Sequence, residues 1–250
     1  MSTTSLDARP SSVRLVAVEL RKMVDTRAGF WLQAAMVALT VLVVIVRVVA
    51  GEAADHTFAG LLDVAIRPAA ILLPIAGVLL ISSEWSQRTG MITFALVPVR
   101  SRVVGAKLIA GLTFALGMVA TSVAVAAGGA LIASAGVEGT WADAAPLIGQ
   151  SVVYLTTGMI VGIAFGMVVL ASSPAIVALF ALPIAWTVVA SLSFFAGVAP
   201  WLDTRLALDQ LPAEVFTGAQ WAHAGTALAL WMLLPLVVGN WRFTRTEVAS

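Results

Sequence analysis

Cysteine is absent from the 250 residues, and lysine and histidine occur only twice each, as Lys22, Lys107, His56 and His223. Without cysteine the chain is not a disulfide-stapled secreted domain. Neither lysine closes a Gly-x-x-x-x-Gly-Lys-Ser/Thr loop, which excludes nucleotide hydrolysis by the P-loop route. Two histidines and no His-Glu-x-x-His sequence leave almost nothing from which to build a zinc or Ser-His centre. No catalytic or metal-ligating residue is assigned, and the chain is read as no enzyme. Charge is equally scarce: 14 basic and 13 acidic residues make 11% of the chain, where a soluble domain carries about 25%. The net charge of +1 offers no footprint for nucleic acid.

What is present is apolar surface. Sixty per cent of the residues are hydrophobic, more than a soluble domain of this length can enclose. A membrane span takes roughly 20 apolar residues, and the apolar runs predict six, at about 29–50, 60–83, 103–135, 146–171, 175–198 and 222–240. The expected fold is therefore an all-α membrane protein. Residues 1–28 form a polar lead-in, too long for the start of a cleaved signal peptide, so the first span is expected to be retained. The second span contains Pro68 and Pro74, which a membrane helix tolerates where neighbours re-satisfy the backbone. Ser172-Ser173-Pro174 reads as the turn between spans four and five. Residues 200–220 are too polar to cross, and Trp201, Leu202, Leu206 and Leu211 suit short helices at an interface. The tail 242–250 is polar. With both termini in the cytoplasm, 11 of the 14 basic residues lie inside, leaving Arg47, Arg67 and Arg205; the bias sets the topology.

Within the spans the deep thirds hold no Asp, Glu, Lys or His, so an ion-coupled carrier would lack a group on which a proton could land. Asp63 and Arg67, four apart near the outer surface, are expected to pair and anchor a helix end. Residues 12–25 predict an amphipathic interfacial helix, with Val13, Val16, Ala17, Leu20, Met23 and Val24 on one stripe and Arg14, Arg21, Lys22 and Asp25 opposite. Along the fourth span Gln150, Tyr154, Gly158, Gly162 and Gly166 recur every fourth residue. Glycines at that spacing let helices approach closely, within one subunit or at a dimer seam. Gln150, Tyr154 and Thr157 make its outer half polar and are candidate lining of an outward path; Gln33, Thr40, Ser191 and Ser193 are weaker candidates.

The substantial cytoplasmic loop reads Glu84-Trp85-Ser86-Gln87-Arg88-Thr89-Gly90, then Leu96-Val97-Pro98-Val99-Arg100-Ser101-Arg102, then Lys107. Together with the amphipathic N-terminal helix, the six spans and the closing Gly239-Asn240-Trp241-Arg242-Phe243-Thr244-Arg245, this resembles an ABC type-2 permease, the membrane subunit of an exporter whose ATPase is a separate chain. The resemblance covers the topology of nearly the whole chain, and its sequence-specific part is confined to 84–107 and the C-terminal edge. It implies that 84–102 forms a coupling helix seated in a groove of the ATPase. Glu84, Arg88, Thr89, Gly90, Pro98, Arg100, Arg102 and Lys107 would then carry the coupling, the basic groups facing the ATPase or lipid headgroups. It further implies two copies of the ATPase, a second permease copy, identical or homologous, and a prokaryotic cell (inner) membrane. The chain itself needs no cofactor; ATP and Mg belong to the partner. The expected function is ATP-driven export of an amphipathic or hydrophobic cargo such as a lipid, antibiotic or peptide. The alternatives are a permease-like scaffold passing ATPase work to an outer-face partner, and an ion-coupled carrier.

Overall fold

The computed structural model describes residues 11–86, 100–134, 138–195 and 197–245, and every regular element among them is helical. A first helix, α1 (Ser12–Asp25), is followed by α2 (Arg27–Ala50), α3 (Phe58–Ser86), α4 (Arg100–Ala133), α5 (Ala144–Val169) and α6 (Ser172–Ala190). Two short helices, α7 (Ala199–Leu202) and α8 (Thr204–Leu208), lead to α9 (Gly218–Leu228), which runs through a π-helical turn (Ala229–Leu233) into α10 (Leu234–Arg245). Six helices, the last of them the composite Gly218–Phe243, are long and apolar enough to cross a membrane. The chain is an all-helical, multi-pass membrane protein. Hydrocarbon offers no partner for a free N–H or C=O, so a spanning segment must satisfy its backbone internally, and a helix does so.

Hydroxyl caps set the helix starts. Ser11 accepts from the Arg14 N–H at 3.3 Å to open α1, and Thr26 accepts from the Gly29 N–H at 3.1 Å to open α2. Thr26 alone, in extended conformation, separates the two. The final span begins earlier than its expected Ala222 because Thr217 and Gln220 form a reciprocal capping box. The 34 residues of α4 make a rod of about 50 Å, longer than the ~30 Å of hydrocarbon.

The fifth span departs from expectation at both ends. The turn is Leu170-Ala171, not Ser172-Ser173-Pro174: Leu170 adopts a left-handed φ of 59° and its N–H returns to the Gly166 carbonyl at 2.9 Å. Pro174 then falls in the first turn of α6, where its missing N–H has no intrahelical partner to lose. α6 ends at Ala190 rather than Val198; Ser191 donates its hydroxyl to the Val188 carbonyl at 2.7 Å, and a tight 3-10 turn follows at Ser193–Phe195.

α3 and α5 form the centre. Their most apolar stretches are 56% and 50% buried, against 17% for α2, α6 and the composite last span, which present their other faces outward. Contact between α3 and α5 is backbone on backbone. A methyl group on Gly162 would stand 2.0 Å from the Pro74 carbonyl oxygen, and one on Gly77 would stand 2.6 Å from the Met159 carbonyl oxygen. Gly166 faces Ile81 and Val78, and Gly158 faces the Pro74 ring, so the glycine ridge of α5 is occupied by α3 of the same chain. Gly239 brings α10 equally close to Ala164 and Met167 on α5. With hydrocarbon on one side and apolar side chains on the other, such close approach is what favours helix association.

Candidate functional site

The first polar constellation lies at the end of the bundle that bears most of the basic residues. α1 packs along α4, with contacts to α2 and α3. The face it presents is Leu15, Val16, Glu19, Leu20 and Met23, while Val13 and Val24 are exposed; the docking stripe is rotated from the expected one and contains a carboxylate. Glu19 is 5% exposed and Lys107, on α4, 0%. The Lys107 ammonium donates to Glu19 Oε2 at 2.7 Å and to the Leu80 carbonyl of α3 at 2.9 Å. Lys22 donates to the other oxygen, Oε1, at 2.7 Å. Lys107 therefore does not face an ATPase or lipid headgroups, as its place behind the basic loop suggested. Its four-carbon stem lies inside the bundle and its charge is consumed by a three-helix junction. A buried ammonium needs this: isolated in low dielectric it would cost roughly several kcal/mol even after relaxation.

Leu80 lies shortly before the end of α3 and Lys107 shortly after the start of α4, so the junction clasps both helices that flank the loop. Arg102 is half-buried on the first turn of α4. Arg88, Thr89, Gly90 and Pro98 lie outside the described residues, as do the side chains of Glu84 and Arg100. Sequence reading missed Glu19. The available signal was a lone carboxylate inside an apolar stripe, in a chain with only two lysines to meet it.

The second constellation is at the opposite end, where residues 198–216 fold back as a cap. Gln150 organises it. Its Nε2 donates to the Leu211 and Glu214 carbonyls, both at 2.6 Å, and its Oε1 accepts the Phe216 N–H at 2.8 Å. With 4% exposure and its amide engaged at three points, Gln150 is a staple for the cap rather than lining of a path. One turn away Tyr154 donates to Asp209 at 3.4 Å. Thr187 of α6 donates to the buried Asp203 at 3.0 Å, Thr226 of α9 to the Trp201 carbonyl at 2.8 Å, and the Trp231 indole to the Leu202 carbonyl at 2.8 Å. Inside the cap Ala207, Leu208, Leu211 and Phe216 pack on Ala224 and Ala227. Trp201 and Leu206 of the expected interfacial set stay exposed, and Leu211 is buried.

Gln150→Leu leaves two carbonyls and one N–H of the cap without their partner. A buried group so orphaned costs about 1–3 kcal/mol, and the loss is local. The expected outcome is faster tryptic cleavage after Arg205, the basic residue within the cap, at unchanged helix content. Equal cleavage rates for parent and variant would show that Gln150 does not hold the cap down.

Beneath the cap lies a cleft of about 130 Å³, bounded by α3, α5, α6, α8 and the π-helical turn. Tyr154 and Thr157 of the expected pathway set line it, together with Gly158 of the glycine ridge, Pro74, Pro183 and Trp231. Of the weaker candidates, Thr40 is buried and donates to the Ala65 carbonyl at 3.2 Å, tying α2 to α3, and Ser191 serves the end of α6.

Asp63 and Arg67 pair along α3 with 2.5 Å between Oδ1 and Nη2, both partly exposed. Arg47 pairs with Asp55 at 2.8 Å in the neighbouring connection. Exposed pairs of this kind contribute at most about 1 kcal/mol. No group of three His, Cys, Asp or Glu that could hold a metal occurs among the described residues. At the C-terminal edge Gly239 supplies the close approach to α5, and Phe243 is fully buried. No protein-family model and no curated protein matches this chain.

Proposed function

We propose that this chain is the membrane-spanning subunit of an ATP-driven exporter of the ABC type-2 class, working beside a second permease copy over two ATPase subunits and moving an amphipathic or hydrophobic cargo outward. The observation that carries the reading is the junction of Glu19, Lys107 and the Leu80 carbonyl. A subunit that receives force on one loop must pass it to its helices without yielding at the joint. Here the helices on either side of loop 84–102 are clasped to each other and to the amphipathic α1 by charge-assisted hydrogen bonds, which are short and about twice as strong as neutral ones. Beyond the junction the rigid α3–α5 contact leads towards the cap. Arg88 and Arg100, with Glu84, are assigned to the ATPase contact, and the cleft below the cap to the cargo path.

The test is purification of the tagged chain from its native membrane. A stoichiometric ATPase is expected to co-purify, and Arg100→Glu is expected to lower both its retention and its hydrolysis rate by about tenfold, the ~1.4 kcal/mol typical of a charge-assisted contact reversed. A chain that comes down alone, with no hydrolysis, overturns the reading. A second reading, a membrane scaffold that hands ATPase work to an outer-face protein, draws on the fastened cap; it is favoured if a protein binds the cap and no cargo crosses.

A further inference from the structure

The cleft below the cap contains an unusual pairing of properties. Its walls are apolar and rigid: the rings of Pro74 and Pro183 and the aromatic faces of Phe165 and Trp231. Trp231 is fixed by the bond from its indole to the Leu202 carbonyl and sits in the π-helical turn, a distortion that concentrates at functional sites. Among the described residues no charged side chain lines the cleft. Two of its hydroxyls, those of Thr157 and Thr204, have no hydrogen-bond partner among the described residues, although Thr157 is only 7% exposed. Helical threonines ordinarily satisfy themselves on a carbonyl one turn back, as Thr156 does on Val152. Thr157 does not. Its hydroxyl is left for something in the cleft.

From these features we infer that the cleft binds an uncharged amphipath, seating a flat ring or compact apolar head between the prolines and Trp231 while a hydroxyl or carbonyl on it bonds Thr157 and Thr204. The size agrees. An apolar protein cavity of about 150 Å³ holds a benzene ring, so 130 Å³ accepts one ring-sized group and leaves the rest of a larger molecule outside. The uncharged lining formed by the described residues sets the sign of selectivity: a carboxylate or ammonium would meet no counter-ion among them to offset its desolvation. A mostly apolar lining with a few polar groups has the composition of a ligand pocket, here at a volume for one ring and not for a whole ligand. The inference narrows the cargo class of the exporter reading and rests on it for its biological meaning, but binding belongs to this chain alone.

The experiment uses the purified full-length chain in lipid nanodiscs without any ATPase, with 4-bromophenol as probe. Bromine quenches nearby indoles, and the signal of Trp231 is the difference between the parent and Trp231→Phe. A saturable Trp231 component is expected for 4-bromophenol. Thr157→Val, which keeps the shape and removes the hydroxyl, is expected to weaken it about 2- to 10-fold, the worth of one hydrogen bond. Val161→Phe, which fills the cleft, is expected to abolish it. The charged analogue 4-bromobenzoate is expected to show no saturable component. The inference is overturned if Thr157→Val binds as the parent does, if the benzoate matches the phenol, or if saturable quenching survives Val161→Phe. It is also overturned if a bromine-labelled phospholipid quenches Trp231 and 4-bromophenol does not relieve this, since the cleft is then an acyl-chain groove. Should Val161→Phe fail to fold, Thr157→Val and the benzoate decide. Failure here leaves the association with an ATPase standing, and loss of that association leaves this binding result standing.

Discussion

Replacing Lys107 with methionine, which preserves most of the buried volume, is expected to destabilise the protein by about 3–5 kcal/mol, the cost of removing one partner from a buried ion pair. The value should fall at the lower end, because Glu19 keeps Lys22, whose side chain is 42% exposed and can bring water with it. The reverse deletion, Glu19→Leu, should cost more. It strands a fully enclosed ammonium that loses its carboxylate while it keeps the Leu80 carbonyl. The double variant Glu19→Leu, Lys107→Met should recover most of the loss, since a well-packed apolar pair commonly replaces a buried ion pair at little or no cost. The measurement is the midpoint and slope of denaturant unfolding in detergent for the four proteins. The order parent ≈ double > Lys107→Met > Glu19→Leu identifies the junction as an ion pair. If both single variants lie within about 0.5 kcal/mol of the parent, the range of ordinary surface substitutions, the junction is not built as described. The double variant also separates stability from coupling. If it folds like the parent yet uncouples hydrolysis by the proposed partner ATPase from transport, the junction's charge-assisted bonds carry force and not merely packing.

The second large effect is expected at Gly162. A single methyl group there would stand 2.0 Å from the Pro74 carbonyl oxygen and 2.7 Å from its carbon. Backbone cannot rotate aside as a side chain can, so α3 and α5 must separate. Overpacking of this kind costs about 1–3 kcal/mol or more, and here the separation also strips contacts from the most buried pair of helices. Gly158→Ala and Gly117→Ala supply the controls on the same scale. The new methyl of the first sits 3.4 Å from the Pro74 ring, an ordinary contact, and that of the second meets nothing within 4 Å. Gly117→Ala should be neutral or stabilising by about 0.5–1 kcal/mol, the helix preference of alanine over glycine. Unfolding midpoints for the three variants should rank Gly117→Ala, Gly158→Ala, Gly162→Ala from most to least stable. Equal midpoints for the last two would mean that α3 does not lie against this ridge. A change in self-association without loss of monomer stability would instead place the ridge at a seam between copies.

The extent of the spans was legible because transfer into hydrocarbon is nearly additive along a segment and needs no knowledge of neighbours. Five of the six spans fall within a few residues of where hydropathy alone put them, and the short helices between spans five and six were foreseen from their broken pattern. The end of the fifth span was not, since Leu192, Phe194 and Val198 prolong the apolar run after the helix has stopped at Ala190. Hydropathy registers what enters the membrane, not where hydrogen bonding changes partner.

Which side of each helix faces inward was decided by tertiary structure. In water an inward face is marked by contrast, apolar against polar. In these spans nearly all faces are apolar, so the inward face of α5 is distinguished by size, at Gly158, Gly162 and Gly166, and the sequence could not say whether α3 or another copy meets it. Polar residues show the same limit from the other side. Gln150 and Lys107 stood out as unusual in an apolar chain, and each invited a role at a path or a partner. Their actual partners are 61 and 66 residues away at the cap and 88 away in α1. Composition and periodicity determined that this chain has six segments long and apolar enough to cross a membrane and where its charges concentrate, because those follow from local transfer energies. Pairing Glu19 with Lys107, Gln150 with the cap and Gly162 with Pro74 was decided only by the fold, because a polar group deep in a bundle takes whichever donor or acceptor the helix packing brings within 3 Å or so.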